Sequence, residues 1–136
     1  MKRLALVLVV VACDRRPAVT ACTDKLSGVW ITESDAKWSL LDHGGTLEAF
    51  PLFDDAVPEG TPRVIDLERG DKLAGEIRRR YMRGPDACEA RAPIRITKCE
   101  ANALQLVVAD PQGPLQFAPC RFPLAASSRV ERWRRE

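Results

Sequence analysis

Arginine and cysteine are the residues of this 136-residue chain with the most chemistry to offer. Residues 73–83 read Leu-Ala-Gly-Glu-Ile-Arg-Arg-Arg-Tyr-Met-Arg, an extended stretch with three consecutive arginines. Side chains of a strand alternate between its two faces, so Leu73, Gly75, Ile77, Arg79 and Tyr81 share one. If that face turns inward, Arg79 and Tyr81 stand two residues apart and can hold a carboxylate or phosphate through charge-assisted hydrogen bonds. The competing and favoured reading leaves Arg78, Arg79 and Arg80 as a solvated basic stripe facing an acidic N-terminal half. Catalysis finds little footing. His43, the single histidine, lies in a His-Gly-Gly turn, and no second histidine exists to build a metal site. There is no G-x-S-x-G elbow, and Asp54 and Asp55 fall in a Pro-rich loop where no burial would raise a carboxyl pKa. The expectation is a protein without enzymatic activity, metal or cofactor.

The five cysteines are Cys13, Cys22, Cys88, Cys99 and Cys120. Cys13 stands apart from the rest. It follows a cationic start, Met1-Lys2-Arg3, and an unbroken apolar run over residues 4–11. That run is far short of the ~20 residues a membrane-spanning helix needs, but it has the form of a secretory signal. Val10-Val11-Ala12-Cys13 resembles the lipobox of bacterial lipoproteins. The resemblance implies cleavage before Cys13, loss of residues 1–12, and acylation of the Cys13 thiol and the new amino terminus with chains such as palmitate. Residues 13–25 would then be a tether and residues 26–136 one domain. Two or three acyl chains make such an anchor effectively permanent, whereas one is marginal. The implied location is the bacterial cell envelope, facing the periplasm or the cell surface. Asp14 resembles an inner-membrane retention signal of enterobacterial lipoproteins, but that rule differs among bacterial groups and leaves the choice of membrane open.

Export changes how the other four cysteines read. An even number in an exported chain implies two disulfides, with three connectivities to choose from. Zinc is disfavoured because no C-x-x-C pair is present. Without residues 1–12 the chain holds 19 basic and 19 acidic residues. A neutral domain of this kind lacks the basic surplus of a general nucleic-acid binder. The balance is uneven along the chain: residues 14–68 carry a net charge of −6 and residues 69–136 a net charge of +6. Compensation across one fold is the simplest consequence; a dipole that orients partners is the other.

What must position these residues is a β-sheet. Short runs of Val, Ile, Leu and aromatic residues are interrupted about every ten positions by Gly, Pro, Asn and Asp. The expected strands are 28–33, 37–42, 46–53, 63–68, 73–83, 93–99, 103–109, 115–122 and 128–134. Gly44 and Gly45 suit a tight hairpin, and Pro111 and Pro114 cannot continue a ladder. Eight or nine antiparallel strands with short connections form a meander, whose simplest closed solution is an up-and-down barrel. A two-sheet sandwich is the alternative. Leu104, Leu106 and Val108 share a face, and Trp30, Trp38, Phe50, Phe53, Phe117 and Phe122 read first as filling. In this meander Cys99 and Cys120 lie at one end of the sheet, with Cys22 able to reach Cys88 at the other. The preferred pairing is therefore Cys99–Cys120 with Cys22–Cys88, and the second choice joins Cys88 to Cys99.

Leu26-Ser27-Gly28-Val29-Trp30 resembles the G-x-W opening of lipocalin-like and fatty-acid-binding barrels. The resemblance implies that Trp30 plugs one end and that an arginine of the last strand, Arg132 or Arg134, packs over it. The later lipocalin motifs and the C-terminal helix of that family have no counterpart here. Two functions follow. A filled interior, favoured by the content of Trp, Phe and Leu, suits a non-catalytic structural or interaction barrel that docks an envelope protein. A hollow one suits a carrier or sensor of a small amphipathic anion, with Arg79 and Tyr81 as its contacts.

Overall fold

The computed structural model describes residues 22–53 and 60–136. The signal segment, Cys13, Asp14 and most of the tether, together with Asp54 and Asp55, lie outside the described residues. Ten strands follow in order: β1 (Gly28–Ile31), β2 (Lys37–Asp42), β3 (Thr46–Leu52), β4 (Pro62–Arg69), β5 (Leu73–Arg83), β6 (Asp86–Cys99), β7 (Ala103–Asp110), β8 (Gln116–Phe117), β9 (Cys120–Arg121) and β10 (Ser127–Arg135). Eight of them close into an antiparallel barrel in the order β1-β10-β7-β6-β5-β4-β3-β2, while β8 and β9 form a separate hairpin. The up-and-down barrel, rather than the sandwich, is the fold.

Period-two patterning explains the closure. Trp38 and Leu40, Leu47, Ile65 and Leu67, Leu73 and Ile77, Ile94 and Ile96, and Leu104, Leu106 and Val108 all point inward and are buried. Closure removes the sheet edges that an open meander would expose. Phe50 does not fill the barrel as expected and is exposed, while Phe53, also exposed, lines the barrel chamber. Leu47 and Ala49 take the inward phase of β3, which leaves Phe50 on the outer face.

The two ends of the barrel differ. The closed end gathers β1, the β2–β3 turn, the C-terminal end of β6 and the N-terminal lead. Trp30 is fully buried there and its indole N–H donates to the Leu26 carbonyl at 2.9 Å. The arginine over its ring is Arg135, 4.6 Å from the centroid, which corrects the assignment to Arg132 or Arg134. Register gives the reason: Trp30 pairs directly with Arg135 across β1 and β10. Inward Trp133 puts Arg135 on its own face and turns Arg132 and Arg134 outward, toward Glu33 and Asp35. Gly28, at φ +142°, leaves the space that Arg135 fills; a Cβ there would meet its Nη1 at 2.9 Å. A cation over an indole contributes about 0.5–2 kcal/mol. Beside it, Arg69 grips Asp42 through two hydrogen bonds of 2.8 and 2.9 Å.

The pairs Arg69–Asp42, Arg78–Asp66, Arg132–Glu33 and Arg134–Asp35 all join the basic half of the chain to the acidic half. The charge split therefore acts as compensation within one barrel.

At the open end, β5 and β6 pair along their whole length, from Leu73 opposite Ile96 to Arg83 opposite Asp86. β7 reaches β6 only as far as Ile94. The upper β5–β6 hairpin thus rises above the rim. Residues 111–126 lie over its inner face before the chain returns as β10. The strand expected at 115–122 is accordingly not a barrel strand. Pro119, which has no N–H to give a ladder, sits in the turn that splits it into β8 and β9.

This excursion also corrects the disulfides, which are Cys22–Cys99 and Cys88–Cys120, with Cα separations of 5.4 and 5.6 Å. β6 begins at Asp86, not Pro93, so Cys88 is a strand residue at the open end, where residue 120 arrives. Cys99 ends the same strand at the closed end, where the lead carrying Cys22 arrives.

Candidate ligand-binding site

Toward the open end the barrel keeps a chamber of about 290 Å³. Its apolar wall includes Ile65, Ile77, Ile94 and Val108, with Trp38 and Trp133 beside them. The two indoles contact each other at 5.3 Å between centroids, tilted by 31°. Trp133 is buried, and its Nε1 has no hydrogen-bond acceptor among the described residues.

Arg79 enters this apolar setting from β5. Leu73 and Ile77 fix the phase of the strand, so Arg79 follows them inward and is 6 % exposed. Arg78 is half-buried on the outer face against Asp66, and Arg80 is exposed. The stripe reading therefore fails for the middle arginine alone. The ion-pair partner of Arg79 among the described residues is Asp110, 3.7 Å away and beyond hydrogen-bond distance. Asp110 is committed elsewhere: Arg129 donates to it from Nε at 2.7 Å and from Nη2 at 3.3 Å, and to Glu131 at 2.8 Å. Burial lowers the pKa of the Arg79 guanidinium, and the nearby Tyr81, Asp110 and Glu131 oppose that shift while Arg129 adds to it. A guanidinium keeps its proton under all ordinary conditions. The result is a positive charge, largely out of water, whose ion pair among the described residues is a long one.

Tyr81 shares the inward face of Arg79 but stands one step higher, above the rim. Its ring meets Phe122 edge-on at 5.6 Å and does not line the barrel chamber. A second recess of about 250 Å³ lies here, between Ala90 and Ala92 of β6 and Phe122 and Leu124 of the covering segment. Arg79 lines both recesses.

Sequence reasoning missed Trp133, Arg129, Glu131 and Asp110 as parts of the site. Period two along β10 places Arg129, Glu131, Trp133 and Arg135 on one face, and that was the available signal. Charged residues around a single tryptophan concealed it. Among the described residues no group of three or more His, Cys, Asp and Glu is placed to hold a metal ion. Comparison with protein-family models, curated proteins and solved structures finds no match to this chain.

Proposed function

We propose that this protein is a tethered envelope component that binds a small amphipathic anion in a lipocalin-like barrel. The observation that carries the reading is Arg79, an almost fully buried arginine turned into a largely apolar, open-ended chamber, whose ion-pair partner among the described residues, Asp110, stands 3.7 Å away, outside hydrogen-bond distance. Burying a charge is costly unless it is paired, and an apolar side chain would serve packing better at this position. A carboxylate or phosphate would accept two parallel N–H bonds from the guanidinium, and its apolar part would lie against Trp38, Trp133, Ile65 and Ile77.

Decanoate is a suitable probe, because the two tryptophans of the wall report on occupancy by fluorescence. Arg79→Met, which keeps the length and removes the charge, should weaken decanoate binding at least tenfold. Arg80→Gln, on the outer face, should leave it unchanged. Equal affinity in wild type and Arg79→Met would refute the assignment.

The anchor is tested separately. Cys13→Ser should move the protein from the membrane fraction to the soluble one, and persistence in the membrane would exclude acylation at Cys13.

A second reading has one observation in its favour. Leu41 and Phe50 are exposed on the outer face of β2 and β3, which suits docking of an envelope protein. Docking on that face would be indifferent to Arg79→Met.

A further inference from the structure

We infer that the ligand has a single anionic centre bearing two apolar arms, one for the barrel chamber and one for the recess under the covering segment. This rests on the binding reading above and adds the class of ligand.

Arg79 is the lining residue that the two recesses share. The inner face of β6 passes from Ile96 and Ile94 inside the barrel to Ala92, against the edge of the core, and Ala90 above it. Small side chains at those two positions, rather than further isoleucines, make the upper recess. Its outer wall is mainly apolar, built from Pro111, Phe122 and Leu124, with Arg121 and, from β6, Arg91 also lining the recess. Gly113, at φ +72°, permits the close seat of Leu124; a Cβ there would approach Leu124 Cδ1 to 2.6 Å. The Cys88–Cys120 bond, between the inner face of β6 and the covering segment, fixes the width of the recess.

A methylene group takes up about as much room as a water molecule in the liquid, ~30 Å³. The barrel chamber of about 290 Å³ and the recess of about 250 Å³ therefore each suit an arm of roughly eight carbons. An anion held by Arg79 sits at the junction, and a ligand with one chain would leave one apolar recess facing water. A ligand with two chains desolvates both.

The test compares two probes with one headgroup, dioctanoyl phosphatidate and monooctanoyl lysophosphatidate, on the purified full chain. The two-chain probe should bind at least tenfold more tightly. Ala92→Phe, which fills the recess, should abolish that advantage and leave the affinity for the one-chain probe within twofold. Leu124→Ala, a milder change on an exposed segment, should reduce the two-chain advantage about threefold and guards against a folding defect in the first variant. Equal binding of both probes to the wild type, or equal loss of both in Ala92→Phe, would overturn the two-arm inference while leaving the anion site standing. Failure of both probes to bind would instead overturn the binding reading beneath it.

Discussion

Replacing Asp42 by alanine should lower the unfolding free energy by about 3 kcal/mol, the lower end of the ~3–5 kcal/mol lost when one partner of a buried ion pair is removed. The Asp42 side chain is 4 % exposed and that of Arg69 17 %. Asp42 accepts both hydrogen bonds of the Arg69 fork, the Leu26 amide at 3.0 Å and the Gly44 amide at 2.9 Å. Alanine leaves the two amides without this acceptor and the guanidinium without its counter-charge. The loss stays at the lower end because Arg69 keeps the carbonyls of Cys22, Asp24 and Gly44 as acceptors. A domain is stable by only about 5–15 kcal/mol, so the change should appear in urea as a much lower midpoint with an unchanged slope. A midpoint that hardly moves would mean the fork is not coupled to folding.

The same group sets an acid limit. The hydrogen bonds from Arg69 hold the Asp42 carboxyl well below the usual carboxylate range, against the opposing effect of burial and with help from the Leu26 and Gly44 amides. The unfolded chain therefore takes up this proton at a higher pH, near ~3.9, than the folded one. Stability from the pair is complete above that value and is lost as pH falls through the lower folded pKa. Wild type should thus lose stability on acidification below about pH 4, and Asp42→Ala should lack that component.

Strand identity was legible because local chemistry and tertiary structure agreed. The limits of β2 and β5 match the expected 37–42 and 73–83 at both ends, where Asp, Gly and alternating apolar residues leave little freedom. Residues 115–122 were misread because their composition suits a strand, and composition is all that a local pattern reports. Their exclusion from the barrel depends on β10 taking the place beside β7, a pairing settled by residues far along the chain. The disulfide assignment inherited that error. Facing was legible as parity but not as sense: Arg79 and Tyr81 do share a face, yet only the burial of Leu73 and Ile77 says that it points inward. The arginine over Trp30 shows the converse. Three candidates lie within four residues, and the phase of Trp133 selects Arg135.

Loss of the Cys22–Cys99 bond should cost about 4.5 kcal/mol in the chain-entropy model, since it closes a loop with a sequence separation of 77. Loss of Cys88–Cys120, with a separation of 32, should cost about 3.5 kcal/mol on the same basis. The difference in kind matters more than the difference in size. Cys22–Cys99 pins the lead that delivers the Cys22 carbonyl to Arg69 and the Leu26 amide to Asp42. Freed of the bond, the lead supports that network less, so the two lesions share part of their effect. Asp42→Ala should accordingly cost less in a C22A/C99A background than in wild type, with a coupling of about 1 kcal/mol, within the range seen for residues in one network. In a C88A/C120A background it should cost the same as in wild type, because that bond serves the opposite end of the barrel. Urea unfolding of the double-mutant sets measures both numbers. Full additivity in the first set would show that the lead and the Asp42–Arg69 fork are held independently, and the closed end would then be two separate contacts rather than one stapled unit.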